Sequence, residues 1–229
     1  MEHCLYLLLD LGALIVPFLF SFHPRIRFDR QWHAFWPACL LVALAFIAWD
    51  VAFTRMGVWG FNARYLTGTS LLDLPIEEWL FFICIPYACI FTYHVFGTLR
   101  PDPWSPRSAD RGAMLLAFIS IIVGALAVER WYTTTTFLAL GLVVGLLLAR
   151  RNTLFLGRFL SSYAAVLLPF FLINGILTGA FIEGEVVWYD NAENLGIRLG
   201  TIPLEDVFYG MLLILLNVVL FEHWRKPVQ

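Results

Sequence analysis

Two short motifs hold the residue types that could do chemistry in this chain: Pro75-Ile76-Glu77-Glu78 and Pro203-Leu204-Glu205-Asp206, each running directly into an apolar stretch. Proline suits the first position of a helix, where its missing N–H costs nothing, so the four acids fall in first turns. Acids there complement the helix dipole by at most about 1 kcal/mol. A carboxylate in or near hydrocarbon costs roughly 2.5 kcal/mol or more, which exceeds that gain, and the arrangement occurs twice. Capping alone does not account for it. Paired carboxyls in an apolar setting can instead divide proton transfer, one acting as general acid and its partner as base.

Aromatic residues crowd the motifs: Trp59, Trp79, Phe82, Trp188, Tyr189, Phe208 and Tyr209. Each alone is at home as an interface anchor or packing residue. As a group around two acid pairs, their ring faces suit a developing positive charge, and hence carbocation chemistry on an apolar substrate. Asp50, just before the first motif's loop, reads equally as a functional group or a structural hydrogen-bonder; Asp10, Asn174 and Asn217 are the other polar residues inside apolar runs. Arg64 and Arg198 precede the motifs and are placed to pair with their acids. Asn62 and Asn191 stand at corresponding points of the two loops. Glu183, Glu185, Asp190 and Glu193 read as a solvated acidic loop.

No GxGxxG follows a strand, and there is no Walker sequence and no aspartate cluster of the DDxxD type. Cys4, Cys39, Cys84 and Cys89 lie in apolar runs without CxxC spacing or a His cluster, and read as small buried side chains. The residues point to redox-neutral acid–base chemistry without metal or cofactor, or to proton-coupled transport.

The elements that must position these groups are membrane spans. Hydrophobic residues make up 60% of the chain and charged residues 14%, against about 25% charged in soluble domains. Seven apolar runs approach the roughly 20 residues a spanning helix needs: 4–22, 33–53, 75–96, 112–128, 133–149, 159–180 and 203–221. The expectation is an all-α integral membrane protein forming one bundle. No basic patch with interleaved aromatics marks a nucleic-acid partner. No Arg or Lys precedes the first run and Arg25, Arg27 and Arg30 follow it, the pattern of a spanning helix rather than a signal peptide. Counted over alternate connections, eleven Arg and Lys fall on one side and four on the other. The positive-inside rule then sets the N-terminus outside, the C-terminus in the cytoplasm, and loops 54–74 and 181–202 outward, in a multi-pass cell-membrane protein.

Those outward loops repeat. Trp59 and Trp188 are 129 residues apart, as are Asn62 and Asn191, and Pro75 and Pro203 are 128 apart. The motifs open the third and seventh runs, which cross in the same direction. The repeat is therefore parallel: a half at 1–97, a half at 131–229, and a linker at 98–130 holding a spacer helix. Both motifs fall at one depth near the outer face.

The stretches Gly57-Val58-Trp59-Gly60-Phe61-Asn62 and Leu74-Pro75-Ile76-Glu77-Glu78-Trp79 resemble the first half of the membrane-type, non-flavin lycopene β-cyclases; Gly196 to Asp206 resembles their second half. In some organisms the halves are separate subunits, and here they look fused. In some relatives this domain is joined to a phytoene synthase; ending at Gln229, this chain is expected to be a cyclase alone. The resemblance implies an intramolecular lyase or isomerase that closes β-ionone rings on lycopene drawn from the bilayer, giving γ-carotene and β-carotene, without a cofactor. A carboxylic acid protonates the terminal double bond, a nearby double bond attacks the cation, and a base removes a ring proton. Glu77 and Glu205 match the family's first acidic position, Glu78 and Asp206 the second; which is acid and which base does not follow from the pattern. Implied partners are lycopene and membrane lipid, with a homo-oligomer or association with other carotenoid enzymes left open. A carotenoid hydratase is the neighbouring alternative, because water would capture the same cation.

Overall fold

The computed structural model describes residues 2–99, 102 and 104–225. Arg100 and Lys226, both in the arginine and lysine count, lie outside the described residues. Seven helices form the molecule: α1 (Leu5–Phe20), α2 (Trp32–Met56), α3 (Ile76–Leu99), α4 (Pro106–Leu126), α5 (Trp131–Ala149), α6 (Leu156–Leu177) and α7 (Leu204–Trp224). All seven are long and apolar enough to cross a membrane. Large apolar side chains such as Leu115, Phe118, Leu142, Leu168 and Leu172 stand exposed around the bundle, a surface suited to lipid rather than water. The chain is a multi-pass helical membrane protein.

The helices follow the apolar runs closely except at α4, which starts six residues before its run. Ser105 caps it by accepting the Ser108 N–H at 3.2 Å, and Pro106 occupies the first turn. Capping supports a polar first turn that hydropathy does not register. α4 lies against α5 at the edge of the bundle. Their close approach needs glycine: a Cβ on Gly141 would stand 2.7 Å from Ile121 Cγ1 and 3.2 Å from the Ala117 carbonyl oxygen. The motif helices are central instead. α3 packs on α1, α2, α6 and α7; α7 packs on α2, α3, α5 and α6.

The loops carry three two-stranded ladders that the apolar pattern does not announce. The strands are β1 (Trp59–Phe61), β2 (Ser70–Leu71), β3 (Leu74–Pro75), β4 (Val187–Tyr189), β5 (Arg198–Leu199) and β6 (Ile202–Pro203). Two hairpins lead into the motifs with the same register. Ser70 faces Pro75 and Leu71 faces Leu74; Arg198 faces Pro203 and Leu199 faces Ile202. Each residue of the first is 128 before its counterpart in the second. β1 and β4 pair antiparallel with each other, Trp59 against Tyr189 and Gly60 against Trp188. The Asn62 N–H to Val186 O and Asp190 N–H to Val58 O bonds, both 2.8 Å, extend this ladder. A shift of 129 residues maps the ladder onto itself, as when two equivalent segments meet across a twofold axis.

Candidate active site

The two acids of each motif point different ways. Successive helical residues are turned by about 100°, so one acid of each pair faces the loop and the other the bundle interior. Glu77 Oε1 accepts the Thr67 N–H at 2.7 Å. Glu205 Oε1 accepts the Leu195 N–H at 2.8 Å and the Thr133 hydroxyl at 2.6 Å. Both acids are fully buried and tie a motif helix to its own preceding loop.

Glu78 and Asp206 face one cavity of about 520 Å³ between α1, α3, α6 and α7. Glu78 Oε2 accepts the Tyr6 hydroxyl at 2.6 Å. The Asp50 carboxyl, from α2, lies within hydrogen-bonding reach of Glu78 and also accepts the Trp59 indole N–H. Asp206 gathers three neutral donors: the Tyr132 hydroxyl at 2.6 Å, the Asn174 amide at 2.8 Å and the Tyr189 hydroxyl at 2.9 Å. Burial, and then the neighbouring Asp206 carboxylate, hold the Tyr189 phenol well above its usual range, so it remains a donor.

Of the aromatic candidates, Trp59, Tyr189 and Tyr209 line the cavity. The Tyr209 ring packs on Phe46 at 5.1 Å, Trp49 at 5.3 Å and Trp59 at 6.1 Å. Tyr132 and Tyr189 stack at 5.9 Å. The other four lie elsewhere. Phe82 is core packing against Phe46, Phe208 rests on Phe137 at 4.6 Å, Trp79 donates to the Leu71 carbonyl at 3.2 Å, and Trp188 covers Gly60 beside a separate cleft at the loops.

Among the described residues, neither loop arginine pairs with a motif acid, contrary to the expectation from spacing. Arg64 bridges Glu2 and Glu183 at 2.9 and 3.0 Å. Arg198 donates to Asn191 Oδ1 at 2.6 Å and to the Thr201 carbonyl, and lies 5.5 Å over the Tyr189 ring. The acids turn inward to hydroxyls and amides, while the arginines stay at the wet surface. Asn62 accepts the Arg64 N–H and donates to the Glu185 carbonyl. In the acidic loop, Glu193 does more than face solvent: its Oε2 accepts the Trp131 N–H at the start of α5 at 2.9 Å.

Tyr6, Tyr132 and Thr133 escape a reading centred on the motifs. Their signal is the repeat carried outward: Tyr6 and Tyr132 are 126 residues apart at the start of α1 and α5, and Asp50 and Asn174 are 124 apart, late in α2 and α6.

Seven apolar helices with two buried carboxyl sites on one cavity define a membrane protein equipped for proton transfer to an apolar ligand. The lycopene cyclase family model matches residues 3–96 and 129–224, and the chain belongs to that family. The two matched segments leave out 97–128, which contains α4. A bifunctional lycopene cyclase/phytoene synthase of Aspergillus niger is 30% identical over 110 residues, covering 47% of this chain and 18% of that protein. The chain thus spans less than a fifth of that relative's length. No solved structure matches the chain.

Proposed function

We propose that the chain is a lycopene β-cyclase of the cell membrane, closing β-ionone rings on the ends of lycopene by redox-neutral proton transfer. The observation that carries this reading is the convergence of Glu78 and Asp206, one from each motif, on a single cavity. Leu8, Gly12 and Leu172 line this cavity and are also exposed on the side of the bundle, so an apolar chain enters from lipid between α1 and α6. Its volume of about 520 Å³ is in the range of ligand pockets, roughly 300–1,000 Å³, and takes an end group while the rest of the polyene trails into the bilayer.

The two half-sites divide the work. Two carboxyls close together cannot both carry charge cheaply, so Glu78 and Asp50 hold a proton between them and present it to the terminal double bond. Asp206 is the base. A hydrogen bond to a charged group is worth about 1.5–3 kcal/mol; three of them offset the roughly 2.5–3.5 kcal/mol of placing a carboxylate in an apolar interior. The proton adds to the terminal double bond, the neighbouring double bond closes the ring onto the cation, and Asp206 takes the ring proton. The substrate gains one proton and loses one. Trp59, Tyr209 and Tyr132 stabilise the cation through their ring faces. The arginine asymmetry sets the motif ends on the outer side of the membrane. Expression in cells that accumulate lycopene tests the assignment. Conversion to ringed products is expected; unchanged lycopene with the protein present in the membrane contradicts it, and hydroxylated linear products identify a hydratase.

A further inference from the structure

Asp10 lies within α1 and is 1% exposed. Among the described residues, neither of its carboxyl oxygens has a hydrogen-bond partner. A structural acid inside a membrane bundle is expected to be tied down by donors, as Asp206 is, because an intramembrane carboxyl left alone is expensive. Asp10 is instead close enough to interact electrostatically with both acids of the first motif, Glu77 and Glu78, and with the Cys84 thiol. Glu77 has a free oxygen as well: Oε1 is engaged by the N–H of Thr67, an exposed loop residue, while the buried Oε2 has no partner among the described residues. Glu77, Asp10 and Glu78 therefore make a series of carboxyls running from the loop surface to the cavity.

The second half lacks this series. The residue related to Asp10 as Tyr132 is to Tyr6, 126 positions on, is Thr136, which has no acidic proton to pass at neutral pH. The asymmetry follows the division of labour proposed above, on which this inference rests. Each ring closure leaves the Glu78–Asp50 pair one proton short and Asp206 one in excess. Only the donor half needs a route inward.

We propose that Asp10 relays protons from Glu77, at the loop surface, to Glu78, recharging the donor after each ring closure. The proton on Asp10 passes to Glu78. Asp10 takes a replacement from Glu77, and Glu77 is reloaded from water at the Thr67 loop. Asp206 returns its proton to solvent, so the cycle is neutral in protons and no electrons move. Asp10 does not line the cavity and is a positioning residue for protons, not a group that touches substrate.

The test compares two regimes in proteoliposomes of the full chain, with enzyme in excess over lycopene and with lycopene in excess. In Asp10→Asn the first ring closure should stay within about twofold of wild type, while steady-state turnover falls about tenfold or more. Asp10→Glu should restore most of the steady-state rate. Asp10→Thr, which installs the residue found at the related position of the second half, provides the same comparison should Asp10→Asn accumulate poorly. Equal loss in both regimes overturns the relay, and so does no loss in either. Failure of the wild-type protein to form any ring overturns the cyclase reading and the relay with it.

Discussion

Tyr6 and Tyr132 hold the same place in the two halves of the molecule: each donates its hydroxyl, at 2.6 Å, to the second acid of a Pro-x-acid-acid motif, Tyr6 to Glu78 and Tyr132 to Asp206. The neighbour contributed by the middle helix of each half breaks the equivalence. In the first half it is a carboxyl, Asp50; in the second it is an amide, Asn174. A carboxyl beside a carboxyl retains a proton, whereas an amide N–H beside a carboxylate stabilises the charge. One substitution in the repeat is enough to turn two copies of one site into a donor and an acceptor.

Exchanging these neighbours should therefore damage both functions. Asp50→Asn removes the proton shared with Glu78, and Asn174→Asp replaces a donor to Asp206 with a repelling acid. Losing an interaction with a charged group of about 1.5–3 kcal/mol corresponds to a fall of roughly ten- to a hundredfold in ring formation. The check is lycopene conversion normalised to membrane-inserted protein. An Asp50→Asn variant at wild-type rate would remove Asp50 from the donor.

Glu205 should matter more for stability than for chemistry. Glu205→Ala strands the Leu195 N–H and the Thr133 hydroxyl, at about 1–3 kcal/mol for each buried donor left without a partner. Thermal denaturation in detergent should show Tm lowered by several degrees, at about 2–4 °C per kcal/mol for a domain of this size. Glu205→Gln keeps an acceptor oxygen and should fall less. The folded fraction of Glu205→Gln should retain more cyclisation than Asp206→Asn.

The cavity mouth gives a third expectation. Gly12 is exposed, lines the cavity, and a Cβ there would meet no atom within 4 Å. Gly12→Phe places a ring in the entry path without a clash in the core. It should raise KM for lycopene severalfold with little change in membrane abundance. Unchanged kinetics would move the entrance away from the α1–α6 side.

The spans were legible because a membrane crossing imposes its length on the sequence, and the motifs because two acids opening an apolar helix are costly without a use. Which acid of each pair faces the cavity was not legible: neighbouring helical residues differ by about 100°, and the rotation of α3 and α7 is set by packing. Tyr6 and Tyr132 were hidden by register. Loop anchors repeat at 128 and 129 residues, the tyrosines at 126, and Asp50 and Asn174 at 124, so an alignment fixed on the loops slides past them. Arg64 and Arg198 looked like partners of the acids because proximity in sequence carries no direction. In the fold they remain at the surface, Arg64 with Glu2 and Glu183 and Arg198 against Tyr189 and Asn191.

The most direct test is the rate of ring formation in Glu78→Gln and Asp206→Asn, measured on membranes with matched protein content. Loss of a positioned acid or base removes about 10²–10⁴ in rate. Both variants are expected to fall by at least about a hundredfold while inserting normally. A wild-type rate in either would contradict the claim that these two carboxyls, brought to one cavity from two repeated motifs, transfer the protons.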